Sequence, residues 1–551
     1  MAKHDHHDTY HPKAKRYLER KKGTRLQDGE AHENMHQEWG RRDFLKMTGL
    51  AALGGALTLS GYPVSAFAPG PMLAGLSNTN CGDRVLVLLR LKGGNDGLNT
   101  VILRGNDTYY NIRPTLAVPE NGLWALSDDY GMPNELLGLQ PFWEDGRMKV
   151  VHNVSYPQQN YSHFRSSDIW ASASDSSEVV NTGWMGRWLE QDLPAFLSAP
   201  PVIPPALQIG VQPNMIFRSD SANYALAISN PAEFYQIAQT GTLYESGNLG
   251  NQPFERELRY VRQVANSAFR YSESIQRAYN DGSNQVGYPD NYLAEQMAIV
   301  ARMIKGSLGT KVFMVSIDGF DTHSNQANFH PNLLDWVGSS VEAFYADLAA
   351  SGHSENVLTM SFSEFGRTIY ENGSAGTDHG TGAPMLLFGD GLGSDFLGEA
   401  PDLDNTDQYG DPLFSVDFRS VYASVMQNWL CTPPEVTEHL LDSEGLQPLD
   451  GLLPPADPPI GANEVGMLLG HEPSPDGGLA FDIHYAVRQP GPVRIVLLYE
   501  NGTTARTLWN HYQEAGSHRL RFVPSEFFLS PGRYYYRLEA GGRAFTRLIT
   551  W

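Results

Sequence analysis

Short, nearly continuous runs of apolar residues constrain the fold of this chain more than any other feature. Unbroken Val, Leu and Met without alternation is typical of strands whose two faces are both covered. The runs are Arg84–Leu91, Met148–Val154, Lys311–Ile317, Asn356–Phe362 and Pro384–Gly389. Helical patterns lie between them, at Tyr292–Leu308, Leu333–Ala350 and Ser415–Leu430. This alternation predicts an α/β domain built on a mostly parallel sheet.

The composition excludes two classes of protein. The 551 residues carry 40 Lys+Arg against 62 Asp+Glu, a formal net charge of −22. A general nucleic-acid binder held by phosphate contacts needs a basic surface, so that class is excluded. A polytopic membrane protein is excluded too. The two cysteines, Cys81 and Cys431, cannot make a disulfide framework, and one bridge or two unpaired buried thiols both stay open.

Residues 1–68 resemble a targeting segment. The first 40 residues are polar, as in a disordered leader. Arg41 and Arg42 then precede a Gly- and Ala-rich apolar stretch that ends at the small-residue site Ala66-Phe67-Ala68. This pattern resembles a twin-arginine export signal, and its glycines suit a cleaved signal better than a permanent membrane span. We therefore expect an exported protein in the periplasm, at the cell surface or outside the cell.

The last part of the chain follows a different pattern. Proline is dense enough in residues 446–471 to predict a stiff linker. Short strands of period two then alternate with turn signals through residues 472–551, which predicts a small antiparallel β-sandwich. Residues 210–285 are rich in Asn, Gln and Ser and are interpreted as an insertion or cap, whose role the sequence leaves open.

Polar motifs stand at the ends of the predicted strands. In parallel sheets such loops share one edge, so their side chains are expected to converge. Carboxylates and imidazoles that converge in this way bind hard or borderline divalent cations, here zinc, magnesium, manganese or calcium. Taken singly, each motif is as compatible with an ordinary surface turn. The predicted metal ligands are Asp96, Asp321, His323, Glu364, Asp378 and His379.

The sequences of these motifs resemble those of one bacterial family. The strings are LLRLKGGNDGLNT, YSHF, GWMGRWLE, GFDTHSNQ, SEFGRT, ENGSAGTDHG and DFRSVYASVMQNWL, spread over residues 82–431. They resemble the exported family known as domain of unknown function 1501, in the alkaline-phosphatase-like superfamily with phosphatases and sulfatases. The resemblance implies a helix–sheet–helix sandwich over residues 82–445. It also implies that a metal-coordinated hydroxyl attacks phosphorus or sulfur.

The resemblance implies roles for four further residues. Ser162 matches the nucleophile, and Arg165 or Arg367 could clamp an anionic substrate, although an ordinary ion pair is as good an interpretation for each arginine. His163 could be a ligand, a general acid or a helix-start residue. Phosphatases place a histidine directly after the carboxylate that Glu364 matches, but Phe365 stands here. One metal position could therefore be missing, and no sulfatase-type motif lies near Ser162.

Two functions follow from these resemblances. The first is an exported metal-dependent hydrolase of phosphate or sulfate esters of small molecules or glycans. The alternative is a catalytically silent cell-surface binding protein that keeps the fold and at most one ion. The tail, FLSPGRYYYRLEAGGRAFTRLITW, resembles a type nine secretion sorting domain or the related flagellar-hook immunoglobulin-like domain. A generic sandwich spacer is the alternative for the tail, and export machinery is the expected partner.

Overall fold

The computed structural model describes most of the chain after residue 82. The described residues are 83–193, 196, 201–210, 213–220, 222–239, 262, 266, 269, 271–407, 410–441, 443, 445–454, 466–473, 480–487, 490–499, 503–540 and 543–551. The predicted leader and export signal, and Cys81, lie outside these ranges. Among the described residues, no helix combines the length and the apolar character needed to cross a lipid bilayer.

The described part of the chain contains both strands and helices. The strands are β1 (Val85–Lys92), β2 (Ile102–Leu103), β3 (Leu123–Ala125), β4 (Tyr130–Pro133), β5 (Met148–Ser155), β6 (Ala206–Ile209), β7 (Ala225–Ile228), β8 (Val312–Asp318), β9 (Val357–Phe362), β10 (Arg367–Glu371), β11 (Thr377–His379), β12 (Ala383–Phe388), β13 (Asp395–Leu397), β14 (Val416–Asp417), β15 (Gly466–Pro473), β16 (Phe481–Val487), β17 (Gly491–Tyr499), β18 (Thr504–Gln513), β19 (Gly516–Phe522), β20 (Arg533–Ala540) and β21 (Arg543–Thr550). The helices are α1 (Asp107–Ile112), α2 (Gln140–Glu144), α3 (His163–Ser172), α4 (Trp184–Asp192), α5 (Pro231–Gln239), α6 (Tyr292–Lys305), α7 (Gln326–Ala349), α8 (Phe418–Ser424) and α9 (Pro434–Leu440).

A large sheet of nine strands organises the first part of the chain. Its order is β13-β5-β12-β9-β1-β8-β6-β7, with β14 beside β5. Strand β1 lies parallel to both of its neighbours, with Leu88 opposite Met314 of β8 and Met360 of β9. Among the described strands of this sheet, only β12 runs antiparallel, to β5 and to β9. Every residue of β5 and β9 is buried, so both faces of the central sheet are covered.

The prediction of a mixed α/β fold on a mostly parallel sheet is confirmed. Each of the five predicted strands is present, shifted by no more than one residue at either end. The predicted insertion over residues 210–285 contributes β7, which pairs parallel to β6 and extends the sheet. The helix predicted from Ser415 is shorter, because Asp417 caps α8 by accepting a hydrogen bond from the Arg419 N–H, and a π-helical turn follows it.

The last part of the chain forms two antiparallel sheets, as predicted for an all-β unit. One has the order β15-β16-β19 and the other β18-β17-β20-β21. Apolar side chains from both sheets, such as Ile483, Ile495 and Tyr536, form one buried cluster, so the sheets pack face to face. Strand β15 begins at Gly466, within the stretch predicted as a linker.

One of the two cysteines is described. Cys431 lies just after α8 and its π-helical turn, is almost completely buried and is disulfide-bonded rather than free. The alternative of an unpaired buried thiol is therefore wrong for this residue. The Arg84 guanidinium lies 3.9 Å from the Cys431 Sγ and stacks over the Trp429 ring.

Candidate metal centre

The polar loops predicted at the strand ends meet at one edge of the large sheet. Strands β1, β8 and β9 are adjacent and parallel, so the loops that follow them leave the sheet side by side. These loops carry Asp96, the pair Asp321 and His323, and Glu364. The hairpin of β10 and β11 brings Asp378 and His379 to the same edge, and α3 begins there with His163.

A glycine turn lets the three loops interlock. Gly93 has φ +122°, and a Cβ at this position would lie 2.3 Å from the backbone nitrogen of Asp321. The Gly93 N–H also donates to Glu364 Oε1 at 2.9 Å. Glycine is required here because no other residue adopts this φ and leaves room for a second backbone. The loop after β1 is thereby fixed to the loops after β8 and β9.

Three imidazoles surround the Asp321 carboxylate. His163 Nε2 lies 3.3 Å from Asp321 Oδ2. His323 Nε2 and His379 Nε2 lie 3.1 Å and 3.2 Å from Asp321 Oδ1, and 2.9 Å from each other. Ligand atoms of His163, Asp321 and His379 all lie within 4.8 Å of one another, so these residues could hold a metal ion.

The other nitrogen of each imidazole faces a hydrogen-bond acceptor. His163 Nδ1 lies 2.9 Å from Glu364 Oε1, and His323 Nδ1 lies 3.2 Å from Asp378 Oδ1. His379 Nδ1 lies 2.8 Å from the backbone carbonyl of Tyr161. Since these oxygens only accept, each Nδ1 carries the hydrogen. In its neutral form each ring presents an Nε2 lone pair to the centre, the arrangement that outer partners impose on metal-binding histidines.

The charges in this group are strongly coupled. Burial alone would raise the pKa of the Asp321 carboxyl, but hydrogen bonds from the three histidines and the Arg367 charge lower it well below its usual range. Burial lowers the pKa of His379 to about 3. Burial also acts on His323, but hydrogen bonds to Asp321 and Asp378 raise its pKa to about 9. Of the two facing Nε2 atoms, only one therefore holds a proton at neutral pH.

The structure separates Asp96 from this group. Its carboxylate is fully buried and forms an ion pair with Arg113, Nη1 to Oδ2 at 2.7 Å. It also accepts a hydrogen bond from the Gln326 amide. Burial would raise the pKa of Asp96, yet the Arg113 charge keeps it below the usual range. Removing either member of a buried ion pair costs about 3–5 kcal/mol, so Oδ2 is held by Arg113, whereas Oδ1 has no hydrogen-bond partner among the described residues.

Glu364 and Asp378 contact the Nδ1 atoms of two histidines, on the other side of each ring from the Nε2 atom that faces Asp321. Glu364 is buried, and its Oε1 accepts from both His163 and Gly93. Asp378 Oδ1 accepts from His323 and, at 3.1 Å, from the Asn372 amide. The structure therefore gives both carboxylates contacts that orient a histidine.

Both arginines proposed as substrate clamps have protein partners. Arg367 is buried, and its guanidinium donates to the carbonyl oxygens of Gly94, Thr377 and other loop residues and to Asp321 Oδ1 at 2.7 Å. Arg165 Nη2 donates to the carbonyl oxygens of Ser176 at 3.3 Å and of Glu178. Arg367 thus fixes the loops around Asp321, and Arg165 ties α3 to the loop that follows it.

Ser162 is placed between two anchored residues. It is the N-cap of α3, and its hydroxyl makes no capping hydrogen bond. The carbonyl of Tyr161 accepts from His379 and the ring of His163 reaches Asp321, so the Ser162 backbone is held beside the group. The hydroxyl is half-buried at the start of a helix, where the backbone N–H groups favour negative charge.

Sequence reasoning assigned no role to three contributors. Gln326 stands at the end of the GFDTHSNQ string, yet an amide has no charge that would signal a metal site. Arg113 lies in no motif, and only the fold brings it to Asp96. The Tyr161 contact uses a backbone carbonyl, which every residue has. The only sequence signal for Gln326 was its position three residues after His323, at the end of a motif with predicted ligands.

A comparison with protein families matches the domain named in the resemblance over part of the chain. Residues 147–412, just under half of the chain, match the family described as "Protein of unknown function (DUF1501)". No curated protein matches the chain. A protein of the alkaline phosphatase superfamily from Vibrio parahaemolyticus is 11% identical over 82% of this chain and 86% of its own, with a TM-score of 0.27.

Two further solved structures are similar at the same level. The alkaline phosphatase from the Antarctic bacterium TAB5 is 10% identical, covers 57% of this chain and 94% of its own, and has a TM-score of 0.25. A sulfatase from Pseudoalteromonas sp. is 10% identical, covers 83% of this chain and 86% of its own, and has a TM-score of 0.27.

Proposed function

We propose that this chain is an exported metal-dependent hydrolase that cleaves phosphate or sulfate esters at a mononuclear centre held by His163, Asp321, His323 and His379. One observation carries the proposal. Three imidazole Nε2 atoms converge on the Asp321 carboxylate, while every Nδ1 is held by an acceptor. Three imidazoles and one carboxylate make a complete protein ligand set for a catalytic metal once His323 has released its Nε2 proton.

The donor atoms narrow the choice of ion. Imidazole nitrogen suits zinc and other transition metals, whereas magnesium and calcium prefer oxygen ligands. Zinc or manganese is therefore favoured over magnesium or calcium. A single ion is favoured because Asp96, the carboxylate that a second ion would use, is neutralised by Arg113.

Ser162 is the nucleophile in this proposal. A bound divalent ion would lower the pKa of a coordinated hydroxyl and neutralise charge on the ester oxygens. The chain itself holds the Ser162 backbone beside His163 and places the hydroxyl at the N-terminus of α3. Asp321 and His379 would be occupied as ligands of the ion, so the proton of the half-buried Ser162 hydroxyl would pass to solvent water.

The catalytically silent binding protein is the second candidate. Its support is that both arginines proposed as anion clamps are engaged with backbone carbonyls.

We further propose that the two C-terminal sheets form an immunoglobulin-like sorting module and that the chain passes through the twin-arginine pathway and then type nine secretion.

Metal analysis followed by turnover assays tests the function. The chain is stripped with a chelator, titrated with Zn²⁺ and Mn²⁺, and assayed with an aryl phosphate and an aryl sulfate. We expect about one ion per chain, and turnover that falls at least 100-fold in Ser162→Ala and in Asp321→Asn. The matched control is Ser339→Ala, a serine on α7 whose hydroxyl donates to the Asp335 carbonyl.

Each outcome decides between the candidates. Metal binding with turnover that depends on Ser162 supports the hydrolase. Metal binding without turnover supports the binding protein. Turnover that is unchanged in Ser162→Ala removes this residue from its role, and a chain that binds neither ion contradicts the metal centre.

A further inference from the structure

One buried amide connects three of the loops at the metal centre. Gln326 is the first residue of α7, and its side chain is 1% exposed. Its Nε2 donates to Asp96 in the loop after β1. Its Oε1 accepts from the Thr322 hydroxyl at 3.0 Å and from the Thr377 hydroxyl at 2.6 Å. All three contacts are made by a residue that has no place in the ligand group itself.

The two threonines lie next to the proposed ligands. Thr322 stands between Asp321 and His323, and Thr377 begins β11, which ends at His379. Their backbones are also joined, because the Thr377 N–H donates to the Thr322 carbonyl at 3.1 Å. A displacement of either threonine therefore displaces a ligand loop.

The opposite end of the amide is anchored to a fixed charge. Asp96 cannot move without breaking its buried ion pair with Arg113, whose guanidinium also donates to the backbone carbonyls of Thr368 and Ile369. These carbonyls belong to β10, the partner strand of β11. The anchor and both threonines are thus held within one rigid frame.

The groups around the Gln326 amide allow it only one orientation. A carboxylate can only accept, so Nε2 must face Asp96 and Oε1 must face the hydroxyls. An apolar residue of the same size would leave two hydroxyls and one carboxylate oxygen without this partner in a dry interior, and each unsatisfied group costs about 1–3 kcal/mol. Local burial alone does not explain why one side chain meets three separate loops.

We propose that Gln326 is the positioning residue of the metal centre, setting the distance between the loop of Asp321 and His323 and the strand that carries His379. This inference rests on the proposed metal centre. Gln326 is not one of the proposed ligands; it acts on them through Thr322 and Thr377. Its removal is expected to loosen the ligand set while the fold persists, and outer partners of metal ligands typically change affinity by about 10–100-fold.

Cobalt binding to the full chain tests the inference. Co²⁺ replaces zinc in nitrogen and oxygen sites, and its visible spectrum reports the geometry of its ligands. The stripped wild type, Gln326→Met and the control Gln208→Met are titrated with Co²⁺, and thermal unfolding without metal verifies that each folds. Gln208 is a buried amide of β6 whose Oε1 accepts from the Asn214 N–H at 2.8 Å, so its loss also removes a hydrogen bond.

We expect Gln326→Met to bind Co²⁺ about tenfold or more weakly, with an altered spectrum, and Gln208→Met to match the wild type. Thr377→Val and Thr377→Ser provide a second test should Gln326→Met fail to fold. The valine loses the hydroxyl and is expected to show the same defect, whereas the serine keeps it and is expected to restore the wild-type spectrum.

The failures are distinguishable. A wild type that binds no Co²⁺ overturns the metal centre and this inference together. A wild type that binds, with unchanged affinity and spectrum in Gln326→Met or in Thr377→Val, overturns this inference alone. An equal loss in Gln208→Met would show that any buried amide has the same effect, which also overturns it.

Discussion

The Glu364 side chain orients a histidine of the candidate metal centre through a hydrogen bond. Its Oε1 accepts from His163 Nδ1 and from the Gly93 N–H, both at 2.9 Å. Burial would raise the pKa of this carboxyl, yet the hydrogen bond from His163 and nearby positive charge lower it. The carboxylate therefore stays ionised and holds His163 in the tautomer that directs Nε2 towards Asp321.

Glu364→Gln is expected to weaken metal binding by about 10–100-fold, because a neutral amide orients His163 less strongly than a carboxylate. Titration of the stripped protein with Zn²⁺ measures the effect. The matched control is Glu371→Gln, another buried carboxylate, which accepts from the backbone N–H groups of Thr115 and Leu116. An equal loss in Glu371→Gln, or no loss in Glu364→Gln, would contradict this role.

A second residue-scale prediction concerns His152 on β5. The ring is 3% exposed, stacks on Phe396, and its Nε2 has no hydrogen-bond partner among the described residues. Burial lowers its pKa from 6.5 to about 4. Because the unfolded chain binds this proton more readily, the stability contributed by neutral His152 is present above pH 6.5 and is lost as the pH falls towards 4.

The loss amounts to about 3 kcal/mol across that window, because the pKa falls from 6.5 to about 4 on folding. Urea unfolding at pH 7 and at pH 4.5 measures it. In His152→Phe, which can still stack on Phe396, the acid-induced loss is expected to shrink by most of this amount. His511→Phe, on the exposed strand β18, is the control. A wild type and a His152→Phe variant with the same pH dependence would refute the assignment.

At the scale of elements, the site depends on how closely the loops after adjacent strands approach one another. Gly93→Ala is expected to lower the free energy of unfolding by about 3 kcal/mol or more, because the added Cβ would meet the Asp321 backbone nitrogen at 2.3 Å and φ is +122°. It should also abolish high-affinity metal binding, since the loop of Asp321 must move.

Gly105→Ala is the matched control for this change. Gly105 also has a positive φ, +62°, but a Cβ there would meet nothing within 4 Å. The expected cost is about 1–2 kcal/mol from the left-handed backbone alone, with unchanged metal affinity. Chemical unfolding and Zn²⁺ titration of both variants separate backbone strain from loop collision, and equal effects in the two would rule out the collision.

The sequence predicted which loops meet but not the part each side chain takes. Apolar runs located β1, β8 and β9, and parallel strands must deliver their following loops to one edge. That rule places Asp96, Asp321 and Glu364 near one another without ranking them. Asp96 forms an ion pair with Arg113, the residue that follows α1, and no local pattern shows which carboxylate meets a guanidinium. His163 lies in the group because α3 begins beside the edge of the sheet where these loops meet.

At the scale of the whole molecule, the described part of the chain has two large buried cores and a third, small one that includes Ile102, Tyr109 and Ile369. The main core surrounds the large sheet, whereas the C-terminal core lies within the last seven described strands and their connections. Contacts between the two parts are present, for example between the rings of His439 and His484, whose centroids are 5.4 Å apart. Every group of the candidate metal centre belongs to the part with the large sheet.

The two large cores predict two unfolding transitions in calorimetry of the full chain, because each buries most of its apolar surface within its own part. A chain that ends at residue 454 should keep one transition, shifted by a few degrees because contacts such as that of His439 are lost, and should bind Zn²⁺ with unchanged affinity. The Asp321→Asn change in both lengths is the control for specific binding. A single transition in the full chain, or a shortened chain without metal affinity, would show that the C-terminal sheets support the centre directly. In that case, a role confined to sorting would be excluded.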